Sequence, residues 1–88
     1  GEGGPFVEKG RLRVEGGALP VNTDGGGLSA QHPGMRGLFL LVEAVRQLRG
    51  EAGPRQVHAR DGGLPRLGVA CGTGGWFCSS GTVVLGRE

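Results

Sequence analysis

The chain has 88 residues, 21 of them glycine and 5 proline, and carries a net charge of +2. That is at most one small domain. The glycines follow no fixed period and alternate with real hydrophobic segments, so the composition does not indicate a disordered chain. The basic residues are dispersed and Tyr is absent, which argues against a nucleic-acid partner.

Residues 1–17 form a glycine-rich N-terminal segment. Leu12 and Val14 alternate with Arg11, Arg13 and Glu15, which predicts a short strand, with Lys9-Gly10 as a hairpin turn. Ala18 to Thr23 reads as an extended segment leading into Asn22–Gly37, NTDGGGLSAQHPGMRG, where five glycines surround His32. Asn22 and Asp24 are suited to hold this loop by Asx-type hydrogen bonds. A helix follows, from Gly34 or Met35 to Arg49. Leu38, Leu41, Val42, Val45 and Leu48 make one face, and Phe39, Leu40 and Ala44 widen it around most of the circumference. Such a helix belongs inside a core larger than 88 residues can supply, and Met35 and Phe39 are assigned to that core. Gly50 is its predicted stop.

Beyond a GEAGPR turn, Arg55–Arg60 is expected to be a strand carrying His58 on the surface. Leu67–Cys71 and Thr82–Leu85 read as two short buried strands joined by GTGGWFCSSG. The predicted order is strand, glycine loop, buried helix, strand, strand, an α/β arrangement. No apolar run reaches the ~18–20 residues of a membrane span. Cys71 and Cys78 lack the close pairing of zinc ligands, so no metal site is expected. Cys78, after Trp76-Phe77, is assigned to packing, and a Cys71–Cys78 disulfide is not expected in a cytoplasmic protein.

The glycine loop brings backbone N–H groups and an imidazole to one helix entry, and Cys71 opens a second glycine-rich loop, CGTGG. Glycine permits close backbone approach to a ligand. A histidine beside backbone donors suits stabilisation of a developing oxyanion, and a thiol suits proton transfer. Together these point to acyl chemistry. No G-x-G-x-x-G precedes the helix, and no P-loop lysine follows.

Three motifs in order carry a resemblance: Asn22-x-x-Gly25-Gly26, then His32-Pro33 and its helix running to QLRGEAGPRQV, then Cys71 with Gly74-Gly75 and the closing TVVLG. Residues 18–88 resemble the C-terminal domain of thiolases, above all the sterol-carrier-protein and lipid-transfer type. The resemblance implies part of an αβαβα layered fold with the helix in the central layer. It implies an acyl-CoA thioester as substrate and no covalently bound cofactor. His32 takes the role of the histidine that activates a nucleophilic cysteine of the N-terminal half, and Cys71 that of the acid/base moving the α-proton. The Thr73 N–H takes an oxyanion-hole position, with Asn22, Gly25, Gly26 and Gly74 shaping the loops. The pattern departs from the family at Gln31, which replaces a glycine. It departs again in HPGMRG, one residue short, and at Thr73, which occupies a glycine position.

The resulting expectation is an acyltransferase of the acetyl-CoA acetyltransferase type. Its missing N-terminal half, or a partner chain, completes the site in a homo- or hetero-oligomer, so the 88 residues alone are inactive. Two alternatives stand beside it: a retro-aldol lyase acting on a steroid or lipid acyl-CoA, and a non-enzymatic assembly or lipid-transfer module.

Overall fold

The computed structural model describes residues 1–30 and 34–88. A single-turn helix α1 (Gly3–Val7) runs into a 3-10 turn at Glu8–Gly10, and the long helix α2 spans Arg36–Arg49. A second 3-10 turn occupies Gly53–Arg55, and the strands β1 (Leu67–Gly74) and β2 (Ser79–Gly86) close the chain.

Helix α2 lies where its apolar spacing puts it. It ends because Gly50 turns left-handed, at φ 76° and ψ 24°. The Gly50 N–H then donates to the Gln47 carbonyl (3.3 Å) and the Glu51 N–H to the Arg46 carbonyl (2.8 Å), the Schellman pattern that satisfies the last turn. Arg46 and Arg49 sit at the negative end of the helix dipole.

The strands pair antiparallel, with Leu67 opposite Gly86, Cys71 opposite Thr82 and Gly74 opposite Ser79. They are longer than the sequence pattern suggests, because the glycines of CGTG continue β1 to the turn at 75–78. Alternate residues of β1 face opposite ways. Gly68, Ala70, Gly72 and Gly74 form the less exposed face. A methyl placed on Gly68 would lie 3.6 Å from Ala44 Cβ and 3.7 Å from Leu48, so this face receives α2. Small residues on both sides let the helix lie close against the strand.

The core is correspondingly thin. Leu48, Ala52 and Ala70 are the buried apolar residues among those described. Leu38, Phe39 and Val42 leave the far side of α2 open, and Leu67, Val69 and Val84 leave the outer face of the hairpin open. The chain exposes 6869 Å². A self-contained folded protein of 9.0 kDa would expose about 4,900 Å². Of the two strands predicted as buried, β1 is thus covered on one face only, and β2 is exposed apart from the half-buried Leu85.

Other expectations need correction. Residues 11–15 form turns, not a strand: Leu19 N–H donates to the Arg11 carbonyl (2.9 Å) and Val21 N–H to the Leu12 carbonyl (3.2 Å), folding the segment back irregularly. Lys9 and Gly10 do adopt positive φ, but in a 3-10 turn. Residues 55–60 are also not a strand, because side chains from α2 take their backbone groups: the Gln47 amide donates to the Arg55 carbonyl (2.9 Å) and accepts from the Val57 N–H (2.8 Å). His58 is exposed, as expected, on this irregular stretch. Met35 and Phe39 are exposed, not core, because the structure places nothing over that side of α2. Cys78 is an exposed free thiol and not a packed one, since its turn projects Trp76 and Phe77 outward.

Candidate functional site

The glycine loop is built by local hydrogen bonds. Asn22 adopts a left-handed φ of 53°, and its carbonyl accepts from the Gly25 N–H at 2.9 Å. Asp24 Oδ1 accepts from the Gly26 N–H at 3.0 Å, the Asx turn that the sequence indicates. Gly25 has φ 92°, and a Cβ there would meet Ser29 Oγ at 2.2 Å, so no other residue fits without moving Ser29. Ser29 in turn donates from Oγ to the Gly25 carbonyl at 3.1 Å.

Two side chains of α2 fasten this loop. The Arg36 guanidinium grips Asp24 with both terminal nitrogens, Nη1 on Oδ2 and Nη2 on Oδ1, the latter at 3.0 Å. Its hydrogen bonds hold the Asp24 carboxyl below the ordinary carboxylate range against a smaller opposing effect of burial. Thr23 Oγ1 donates to Glu43 Oε1 at 2.8 Å. Glu43 is itself buried and also accepts from Gln47 Nε2 (3.0 Å) and from Arg55 Nε and Nη2, the latter at 2.8 Å. Burial works to raise its pKa. The hydrogen bonds from Arg55, Gln47 and Thr23 together outweigh burial, and the net shift is downward.

These residues carry the part of the site that sequence reasoning missed. In the sequence Arg36 and Glu43 merely interrupt the apolar face of the helix, and Arg55, beyond its end, reads as a solvated arginine. The signal available was spacing: Arg36 and Glu43 are seven positions apart, two turns along one helix face, opposite the adjacent Thr23 and Asp24.

His32 lies outside the described residues. The structure does fix where its segment re-emerges. Gly37, in the first turn of α2, lies against β1, its Cα 4.0 Å from where a methyl on Gly72 would sit. Gly72 is the neighbour of Cys71. Cys71 is an exposed free thiol on the opposite face of β1, and its Sγ accepts a hydrogen bond from Thr82 Oγ1 on β2 at 3.3 Å. Thr73 and Gly74 continue the same strand without positive φ, so the β-branched Thr73 fits the extended backbone there. Asn22, Gly25 and Gly26 form one loop; Cys71, Thr73 and Gly74 lie on one strand.

Among the described residues no cluster of three or more His, Cys, Asp or Glu side chains is arranged to hold a metal ion. Nor is any helix among them long and apolar enough to cross a membrane.

A glycine loop clamped to a helix that packs on a cysteine-bearing hairpin defines a partial α/β domain of the thiolase type. The family described as thiolase C-terminal domain-like matches residues 1–87, and the chain belongs to that family. It is 46% identical over 77 residues to an acetyl-CoA acetyltransferase of Methanothermobacter thermautotrophicus, covering 85% of this chain and 19% of that protein. It is 48% identical over 58 residues to sterol carrier protein 2 of Bos taurus and 47% identical to that of Rattus norvegicus, in each case covering 65% of this chain and 10% of the relative. The chain therefore spans about a fifth or less of the length of these relatives. No solved structure matches it.

Proposed function

We propose that the protein carrying this segment acts on acyl-CoA thioesters, by thiolytic cleavage of a 3-oxoacyl-CoA and the reverse Claisen condensation. In this reading His32 takes the proton from a nucleophilic thiol supplied outside these 88 residues. Attack of that thiolate on the 3-oxo carbon of the substrate transfers the acyl group and releases an acyl-CoA enolate. Cys71 gives the enolate its α-proton, and coenzyme A then removes the acyl group as a new thioester. The backbone N–H of Thr73 faces the oxyanion, and Asn22, Gly25, Gly26 and Gly74 keep the glycine loop and the end of β1 close to the thioester.

The observation that carries the reading is the seating of Gly37, five positions after His32 in sequence, against Gly72, the neighbour of Cys71 on β1. The exposure of the Cys71 thiol supports it, since a proton-transfer group must reach substrate. So does the similarity to an acetyl-CoA acetyltransferase. The similarity to sterol carrier protein 2 favours a second reading, retro-aldol cleavage of a steroid or lipid acyl-CoA, or lipid transfer without catalysis.

The test is made on the intact protein with 3-oxoacyl-CoA and coenzyme A. His32→Ala and Cys71→Ala are each expected to lower kcat by at least about a hundredfold while the protein still assembles. Turnover that survives both changes refutes the assignment. Activity only on a steroid or lipid 3-hydroxyacyl-CoA selects the retro-aldol reading.

A further inference from the structure

β1 receives α2 on the face of Gly68, Ala70 and Gly72 and leaves its other face open. Residues directly opposite in an antiparallel pair share a face. The open face therefore carries three cross-strand pairs in a row: Val69 with Val84, Cys71 with Thr82, and Thr73 with Ser80. In the middle pair a hydroxyl meets a thiol. Thr82 Oγ1 donates to Cys71 Sγ at 3.3 Å, and among the described residues no other group hydrogen-bonds that sulfur.

Strand formation does not account for the hydroxyl. Thr82 opens the run Thr82-Val83-Val84-Leu85, and valine, with the same branched shape, serves a strand equally well. Burial does not account for it either. Both residues are exposed, and an exposed hydroxyl is satisfied by water. The register supplies placement. Opposite residues hold their Cβ atoms about 4.5–5.5 Å apart, and a β-branched side chain has few rotamers. Oγ1 is thus brought to the sulfur by the backbone ladder and a stiff side chain.

We propose that Thr82 is a positioning residue for Cys71: its hydroxyl sets the direction of Sγ and donates to the sulfur while it carries charge. The proposal rests on the reading of Cys71 as the group that moves the α-proton. In thiolysis the S–H bond breaks, the proton goes to the α-carbon of the enolate, and the electron pair stays on sulfur as a thiolate. The thiol proton of the incoming coenzyme A restores the S–H. In condensation the thiolate takes the α-proton back. Thr82 keeps its own proton throughout. A hydrogen bond to a charged acceptor is roughly twice as strong as one to a neutral acceptor. The bond therefore strengthens as charge forms on the sulfur, which is the condition for it to raise kcat.

The experiment compares the intact protein with its Thr82→Val and Thr82→Ser variants. One measurement is steady-state thiolysis of a 3-oxoacyl-CoA by coenzyme A. The other is alkylation by iodoacetamide at fixed pH, followed peptide by peptide. Cys78, the other exposed free thiol of the hairpin, is the internal control. Thr82→Val is expected to lower kcat about 3- to 10-fold, with KM changed less than about twofold. It should slow alkylation of Cys71 about 2- to 5-fold and leave Cys78 unchanged. Thr82→Ser restores most of both rates. Unaltered kcat in Thr82→Val overturns the proposal, as does unaltered alkylation of Cys71. So does a Thr82→Ser protein as slow as Thr82→Val, or a change at Cys78 equal to that at Cys71, which marks a loosened hairpin. The acyl-transfer reading fails separately, if Cys71→Ala keeps full turnover; the alkylation rates still decide whether the Thr82 hydroxyl acts on that sulfur.

Discussion

Glu43 has the most crowded environment of any ionised side chain described above. Burial alone would make its carboxylate costly, yet Arg55, Gln47 and Thr23 supply donors to it. Removing the charge while keeping the shape leaves those donors partly unmatched. Glu43→Gln is expected to destabilise the folded protein by about 1–3 kcal/mol, measurable by urea unfolding. The same carboxylate gives a pH dependence with a definite sign. Glu43 and Asp24 both bind their protons less readily when folded than their ordinary values of 4.5 and 3.8. The unfolded chain therefore takes up more protons as the pH falls, and stability falls with it. The contribution is complete above those ordinary values and is lost as the pH drops through the lower folded-state values. Denaturation midpoints measured from pH 7 downward should stay level until roughly pH 5 and then decline. Glu43→Gln should flatten part of that decline.

Between elements, the contact of α2 with β1 depends on what is absent from the strand. Gly68 is extended and faces Ala44 and Leu48 at ordinary van der Waals distance from an added methyl. Gly68→Ala should therefore be tolerated within about 0.5 kcal/mol. Gly68→Leu has no such room and should cost about 1–3 kcal/mol through displacement of the helix. Thermal unfolding of the two variants separates these outcomes. The helix and hairpin were legible because each announces itself locally: α2 through apolar spacing and a glycine stop, the hairpin through Val-rich runs flanking a glycine-rich turn. The supposed strands at 11–15 and 55–60 failed for a shared reason. Alternation over a few residues is satisfied by any extended backbone, and here the partners of that backbone are the 19–21 segment and the Gln47 side chain, with no neighbouring strand. Asp24 as an Asx-turn residue was legible from its neighbours in sequence. Its bond to Arg36 was not, because an ion pair across a loop leaves no periodic trace.

At the scale of the whole chain, the architecture is one interface with two uncovered sides. α2 and the hairpin share a thin seam of small residues, while Leu38, Phe39 and Val42 on one side and Leu67, Val69 and Val84 on the other face outward. The exposed area exceeds that of a self-contained protein of this mass by about 2,000 Å², comparable to a substantial protein–protein interface. The apolar girth of α2 predicted from sequence finds its explanation in these open sides: the helix has more hydrophobic surface than the hairpin can cover. This agrees with the chain spanning 19% of the length of its Methanothermobacter thermautotrophicus relative.

The turn that joins the two strands makes the covering of this surface observable. Trp76 stands at its tip with 94% of its surface exposed, Phe77 beside it holds a left-handed φ of 60°, and the sequence contains no second tryptophan and no tyrosine. Within these 88 residues the indole is therefore an optical reporter with no competing emitter. Its fluorescence in the isolated chain should have the red-shifted maximum and ready iodide quenching of a water-exposed ring. If other chain, a second subunit or substrate comes to rest on that tip, the emission moves to the blue and the quenching is lost; if the tip stays clear of every contact, neither changes.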